Sequence, residues 1–411
     1  KQKTAYEIRP RDWSSDVCSS DLLGRVGVRR RVALMGATGS IGRQTLDVLR
    51  REPERFELSA VAAGRRIDDL VDIAREFDVS RVVVADESDR DRVADILGTY
   101  VEVLSGVEGL VAACDDVDIV VNAVVGFAGL PVTLAALRGG RRLALANKES
   151  LIAAAPLVNA ARQTPGAELV PIDSEHCAIH QCLAGSNEPG HPDVRRLILT
   201  ASGGPFRGLS AEQLRSVTRE EALRHPTWSM GPKITVDSST LMNKGLEVLE
   251  AAALFEVEVD RVDVVVHPES IVHSMVEYID GSTLAQLSAP DMRLPIAYCL
   301  GLPERLNHAW GALDFTSGVS LHFEAPDRSN FPALDLAYAA ARRGGAAPAW
   351  LSAANEVAVE AFLFDRIKWV DIAAVVARTM DAYEDVVLES PDVVYEQDDV
   401  ARRTALASVN D

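Results

Sequence analysis

The 411-residue chain predicts an α/β protein with an N-terminal doubly wound, Rossmann-type domain, a central α+β catalytic domain with a mobile loop, and a C-terminal helical bundle. Three observations predict it. From about residue 31, short apolar runs alternate with amphipathic stretches, the pattern of a parallel sheet covered by helices. The first run ends in a glycine-rich turn that opens a helix, an arrangement suited to receive a pyrophosphate. After residue 332, alanine-rich segments of helical period replace the strand-like runs. The expected divisions are 24–172 for a dinucleotide-binding domain, 173–290 for the catalytic domain, 291–331 for a connector and 332–411 for the bundle.

Composition bounds the function. The chain is long enough for two or three domains. Its 42 Lys and Arg against 61 Asp and Glu give a net charge of −19, which repels nucleic-acid phosphates and anionic lipid, so neither is an expected partner. Cys18, Cys114, Cys177, Cys182 and Cys299 are an odd, scattered set without metal-ligand spacing, as in a reduced cytoplasm, and a cytoplasmic location is expected. The longest apolar run, 119–131, is interrupted by Asn122, Gly126 and Gly129 and is too short to span a bilayer. Residues 1–23, with Trp13-Ser-Ser-Asp-Val-Cys-Ser-Ser-Asp21, lack the apolar core of a secretion signal. They are expected to be disordered or non-native sequence joined to the reading frame.

Strands are expected at 32–35, 58–63, 82–85, 119–123 and 143–146, with helices from Ile41 and Ile67. The first turn, Gly36-Ala-Thr38-Gly39-Ser40-Ile41-Gly42, lets the backbone approach a pyrophosphate at a helix N-terminus. Where an NAD site would carry an acid for the ribose 2′-hydroxyl, the second strand ends in Gly64-Arg65-Arg66. Two cations suit a 2′-phosphate, so NADPH is the expected cofactor. Asn147-Lys148-Glu149 follows the 143–146 strand at the carboxyl edge of the sheet, which turns Lys148 toward the cofactor crevice.

The next apolar run, Leu169-Val170, leads into Asp173-Ser174-Glu175-His176. In an extended segment residues two apart share a side, so both carboxylates can aim at one hard cation; as an isolated motif the same residues make a helix-capping turn. Further strands are expected at 196–200, 262–266 and 284–287. Between them, Asn243, Lys244 and Glu247 share one helical face, either as functional groups or as a solvated ion pair. With Glu247, the acids Asp173 and Glu175 form an all-oxygen set that prefers Mg²⁺ or Mn²⁺ to Zn²⁺. His176 could add a fourth ligand but is read as structural. Ser202, Ser238, Asn243 and Lys244 can surround a phosphate with three neutral donors and one cation. The 205–232 connection has Gly and Pro at both ends and few apolar residues, so it is expected to be a lid with Trp228 over the ligand and His225 reaching down. Helical segments at 334–343, 349–363, 372–383 and 400–407 complete the chain, with Asn355 and Glu356 as a helix contact.

Five stretches then carry a resemblance: Asp173-Ser-Glu-His176, Ala201-Ser-Gly-Gly-Pro-Phe206, His225-Pro-Thr-Trp-Ser-Met-Gly231, Met242-Asn-Lys-Gly-Leu-Glu247 and His267-Pro-Glu-Ser-Ile-Val-His-Ser-Met-Val276. In this order they resemble the 1-deoxy-D-xylulose 5-phosphate reductoisomerases, from about Arg31 to the C-terminus. The resemblance implies NADPH against Thr38, Gly39, Ser40, Ile41, Gly64, Arg65, Arg66, Asn147 and Gly231; Arg66 departs from the small polar residue expected there. It implies a metal on Asp173, Glu175 and Glu247. The sugar-phosphate substrate would lie against Lys148, Ser174, Glu175, Ser202, His225, Trp228, Ser238, Asn243, Lys244 and Glu247, with Lys148, Glu175 and His225 as catalytic groups. A homodimer is the expected assembly. Two other readings compete: a semialdehyde-type NADP dehydrogenase with Cys177 as nucleophile, and a non-catalytic NADPH sensor.

Overall fold

β-Branched and alanine-rich runs form seven parallel strands: β1 (Arg30–Met35), β2 (Phe56–Ala63), β3 (Arg81–Val84), β4 (Glu102–Ser105), β5 (Ile119–Asn122), β6 (Arg142–Leu145) and β7 (Glu168–Pro171). They lie in the order β4-β3-β2-β1-β5-β6-β7 in the computed structural model, which describes residues 29–185, 190–228 and 230–410. The expectation for residues 1–23 falls outside the described residues. In β1, Val32 and Leu34 pack with the Ser40–Arg51 and Ile67–Glu76 helices on one face, while Ala33 and Met35 pack with Leu130–Arg138 and Lys148–Arg162 on the other. Both faces are covered, so after Arg30 and Arg31 the strand runs apolar from Val32 to Met35 rather than alternating. Strand order reverses between β1 and β5, and the carboxyl ends at that point form the crevice where open α/β sheets take ligands.

Two elements of this region depart from the expectation. β4 is a short, partly exposed edge strand whose Glu102-Val-Leu-Ser sequence has little strand signal. The connector contains a helix, Arg293–Gly301, that packs on the Ser40–Arg51 helix and on β6 and β7, so it belongs to the first domain's outer layer. Its Pro295 sits in the first turn, where a missing N–H breaks no bond.

The second sheet comprises β8 (Val194–Ala201), β9 (Val262–Val266), β10 (Val272–Tyr278) and β11 (Thr283–Leu287), ordered β11-β10-β8-β9. β10 was not foreseen, because its polar residues are internal: Ser274 is buried, and Glu277 is met by Arg195 and Arg196. The Met242–Phe255 helix lies between this sheet, the Lys148–Arg162 helix and Ala333–Arg343. Gly245 permits that contact, since a Cβ there would stand 2.7 Å from that of Ala337. The helices Ala333–Arg343, Ala347–Leu363, Trp369–Asp381 and Pro391–Asn410 form the C-terminal bundle. Among the described residues no helix is long and apolar enough to cross a membrane.

The 205–232 connection is more anchored than its composition implied. Ser210 and Thr218 close capping boxes on the short helices Ala211–Leu214 and Arg219–Ala222, and Phe206, Leu214 and Ala222 are buried. Phe206 meets Trp369 edge-on at 5.4 Å. Among the described residues the stretch from Leu223 to Gly231 has no buried residue, and the Pro232–Ser239 helix that follows carries Ser238 on regular structure.

Candidate active site

The carboxyl ends of β1, β6 and β7 and the start of the Met242–Phe255 helix face a cavity of about 580 Å³. Its lining includes Ser40, Ile41, Lys148, Asp173, Ser174, Glu175, Ser202, His225, Trp228, Gly231, Ser238, Asn243, Lys244 and Glu247. Thr38 and Gly39 form the turn beneath Ser40, Gly64, Arg65 and Arg66 end β2, and Asn147 is buried behind Lys148; these six lie outside the lining. At the turn, Gly36 adopts φ +90°, and a Cβ there would come 2.4 Å from the Ala123 carbonyl oxygen. A Cβ on Gly42 would stand 2.3 Å from the Gly36 oxygen. Both positions therefore require glycine. The Ser40–Arg51 helix has no side-chain cap, so its first N–H groups and positive dipole end are directed at the crevice. This cradle fits a dinucleotide pyrophosphate.

Asp173 and Glu175 converge, though not by strand alternation. Asp173 caps the Ser174–Cys182 helix, accepting the Glu175 N–H at 3.2 Å, and Glu175 projects from the first helical turn. Ser174 Oγ donates to Glu175 at 2.5 Å. From the other side comes Glu247, and one oxygen of each of the three acids lies within 4.8 Å of the others. Lys148 pairs with Asp173 and stands 3.4 Å from Glu247 and 3.7 Å from Glu250; Lys244 pairs with Glu247 and lies 2.8 Å from Glu175. Lys244 and Glu247 are 3 % and 1 % exposed, which excludes the solvated-pair reading.

Burial, reinforced by Asp173 and Glu175, pushes the Glu247 carboxyl up to about 7. Burial would also discharge His176, but Glu250 and Asp173 outweigh it and raise the imidazole to about 9. The geometry agrees: Nε2 must donate to the Glu247 carbonyl at 2.9 Å, and Nδ1 faces carboxylate oxygens of Asp173 at 3.0 Å and Glu250 at 3.3 Å. His176 is thus an internal counter-charge, in keeping with the structural reading. Four carboxylates face two ammonium groups and one imidazolium. A hard divalent cation fits this oxygen-rich set on Asp173, Glu175 and Glu247, with the lysine ammonium groups standing where positive charge is required.

Two of the residues expected at the phosphate flank His225, whose Nε2 is 3.0 Å from Ser202 Oγ and 3.1 Å from Ser238 Oγ. Its Nδ1 accepts the backbone N–H groups of Thr227 and Trp228 at 3.1 and 2.9 Å. The proton therefore sits on Nε2, directed at the two hydroxyls, and burial lowers the imidazole below its ordinary range. Asn243 Nδ2 donates to Glu247 at 2.6 Å. Leu241 and Ser270, both lining the cavity, hold positive φ of 62° and 52°, a conformation non-glycine residues adopt at a cost.

Several residues of the site escaped the sequence reading. Glu250, one turn beyond Glu247 and fully buried, was legible as an i, i+3 acid pair on one helical face. Arg293, first residue of the helix in the connector, and Asp291 just before it line the cavity, and His273 enters from the unforeseen β10. Cys177 lies within the Ser174–Cys182 helix, 1 % exposed and outside the cavity lining, and burial pushes its thiol up to about 12; the semialdehyde-type reading lacks the accessible thiolate it needs.

Known proteins match this arrangement along the chain. Profiles described as 1-deoxy-D-xylulose 5-phosphate reductoisomerase cover residues 32–155, and those of its C-terminal domains cover 169–255 and 287–404. A relative of that name from Chlorobaculum tepidum is 52 % identical over 86 % of this chain and 93 % of its own length. One from Zymomonas mobilis is 47 % identical over 92 % and 97 %. The solved structure of the Zymomonas mobilis reductoisomerase in complex with NADPH superposes with a TM-score of 0.86 at 45 % identity, covering 93 % of this chain and 99 % of that one. A second, solved with NADPH, fosmidomycin and magnesium, gives 0.87 at 41 % identity over 93 % and 98 %. On this evidence the chain belongs to the 1-deoxy-D-xylulose 5-phosphate reductoisomerase family.

Proposed function

We propose that the chain converts 1-deoxy-D-xylulose 5-phosphate to 2-C-methyl-D-erythritol 4-phosphate with NADPH and Mg²⁺ or Mn²⁺, a step of non-mevalonate isoprenoid precursor synthesis. One observation carries the reading: a glycine-built dinucleotide cradle and a three-carboxylate cation site open on one cavity. A sensor that only bound NADPH would have no use for the buried acids. When bound, the cation supplies Lewis-acid stabilisation of charge on vicinal substrate oxygens, and NADPH supplies a hydride.

The protein's own groups do the rest. Asp173, Glu175 and Glu247 hold the cation, and Lys148 keeps positive charge beside the developing oxyanion. Ser174, carried at the start of the same helix as Glu175, lines the substrate side. Ser202, Ser238, Asn243 and Lys244 surround the phosphate, and neutral His225 offers its Nε2–H between the two serines. Thr38, Gly39, Ser40, Ile41, Gly64, Asn147 and Gly231 lie along the cofactor, with Arg65 and Arg66 toward the 2′-phosphate. Trp228 lines the cavity, and its closure over bound ligand would keep the aldehyde formed by the rearrangement until it is reduced. The test is NADPH oxidation with 1-deoxy-D-xylulose 5-phosphate, with and without Mg²⁺. Turnover that requires both is expected; turnover indifferent to the metal rejects the assignment.

The domain limits 24–172, 173–290, 291–331 and 332–411 remain the functional division we propose, with the Arg293–Gly301 helix serving the first unit. We also infer a homodimer. β11 is an edge strand with Leu284 half exposed, and Ile279 at the preceding turn is 70 % exposed. An apolar edge of this kind is usually covered by another chain. Light scattering should give twice the chain mass, and Leu284→Arg should lower it.

A further inference from the structure

Outside the acid cluster, the molecule holds a second, partly buried ionic group that the chemistry above does not use. The Lys233 ammonium, in the first turn of the Pro232–Ser239 helix, lies 3.3 Å from Glu149 and 3.1 Å from Asp237. Each carboxylate has a second duty. Glu149 Oε2 accepts from Asn147 Nδ2 at 3.1 Å, and Asn147 opens the helix whose first residue is Lys148. Asp237 Oδ1 accepts from Asn355 Nδ2 of the bundle at 2.7 Å, and Asp237 precedes Ser238. Asn355 is fully buried and Asp237 1 % exposed, so the bundle side of the joint is internal, while the Lys233 and Glu149 side chains keep 25 % and 14 % exposure. Burial opposes the charge on Lys233, but Asp237, Glu149 and Glu356 together hold it above the ordinary lysine range. Glu356 is itself fixed by Arg402 at 2.5 Å. The ammonium thus joins the turn after β6 to the Pro232–Ser239 helix, and Asp237 extends the link to the bundle through Asn355.

We propose that Lys233 is a positioning residue: by joining Glu149 to Asp237 it sets the placement of the nicotinamide side of the cavity relative to the sugar-phosphate side. The inference rests on the reductoisomerase reading. Hydride transfer needs donor and acceptor carbons held in van der Waals contact, and a misplacement of about 1 Å costs on the order of 10²-fold in rate. Lys233 does not line the cavity, so its removal takes away no binding group but misaligns those that remain.

The experiment compares the parent enzyme with Lys233→Met, Glu149→Gln and the double variant. It measures kcat, both KM values, Tm and the primary isotope effect with NADPH deuterated at the transferred position. Each single variant is expected to lose about tenfold or more in kcat, with a raised isotope effect and KM values changed only a few-fold. The double variant should be no slower than Lys233→Met, because both changes break one link. Glu149→Gln leaves Lys233 paired with Asp237, so it carries the test should Lys233→Met not fold. The inference is overturned by parental kcat and isotope effect in a folded variant, by a fall in Tm alone, or by a double-variant loss equal to the product of the single losses. A parent that does not oxidise NADPH with this substrate removes the reductoisomerase reading, and the inference with it.

Discussion

Lys244 donates to Glu175 at 2.8 Å, so a cation suited to the substrate phosphate is turned toward the carboxylates suited to the metal. Burial works against its charge, yet Glu175 and Glu247 hold it above the ordinary lysine range. On the proposed reading Lys244 and a divalent ion would compete for the same oxygens, and a bound ion would leave the ammonium available to the phosphate. Two opposite effects are expected of Lys244→Met. Substrate KM should rise about 10- to 150-fold, the equivalent of a charge-assisted hydrogen bond of roughly 1.5–3 kcal/mol. Mg²⁺ should bind the substrate-free variant more tightly than the parent. Calorimetric titration decides it, and weaker Mg²⁺ binding by the variant would show that no competition exists.

Arg65 and Arg66 differ in what they already hold. The Arg66 guanidinium is 3.9 Å from Asp69, whereas Arg65 is exposed beside Gly64 with its charge uncommitted to an ion pair among the described residues. Arg65→Ala should thus weaken NADPH by about 10- to 150-fold, on the roughly 1.5–3 kcal/mol of a charge-assisted contact, with little effect on NADH. Arg66→Ala should do less. Equal losses for the two cofactors in Arg65→Ala would remove the 2′-phosphate from the explanation.

What the sequence made legible follows from the range of each cause. The β1 turn was readable because its glycines answer local demands, a positive φ at Gly36 and close approaches at Gly36 and Gly42. Asp173, Glu175 and Glu247 were readable as residue types, but their convergence was not. A helix cap, not strand alternation, brings the first two together, and Glu247 arrives from an element more than seventy residues away. The Arg293–Gly301 helix was hidden because its apolar residues face another domain's sheet, leaving weak amphipathicity and a proline at the front. The 205–232 segment misled in the opposite sense: its few apolar residues, Phe206 and Leu214 among them, are the buried ones.

His225 links the phosphate side to pH. Burial holds its imidazole below the ordinary range, so the neutral form, with its proton on Nε2, persists at neutral pH. For a depressed folded-state value the sign is fixed: the contribution is present above the unfolded value, about 6.5, and is lost as pH falls through the folded one. The His225-dependent part of kcat/KM should be flat through pH 7 and decline only in acid. His225→Gln keeps a donor but cannot titrate. It should lower kcat/KM by about 10²-fold and lose that part of the acid limb. An acid limb identical to the parent's would assign the titration to other groups.

Trp228 is the one described tryptophan that is not buried; Trp310, Trp350 and Trp369 are each about 5 % exposed or less. It lines the cavity with its ring 6.3 Å from that of His273, and its backbone N–H is bonded to His225. The preceding segment is fixed as far as Ala222 by two capped helices, so movement is restricted to the short stretch that carries His225 and Trp228. Substrate reached by His225 would draw that stretch down, and the indole would follow because both share one backbone turn. Closure would then be a local step over the ligand, a common gating role for such segments, and not the swing of a long loop. The difference in fluorescence between the parent and Trp228→Phe isolates this indole while leaving the three buried ones in place. Without ligand the difference spectrum should be red-shifted and open to acrylamide, and NADPH with a phosphonate substrate analogue should shift it to the blue and protect it. An indole already blue-shifted and protected before ligand is added would mean that Trp228 is a permanent wall of the cavity.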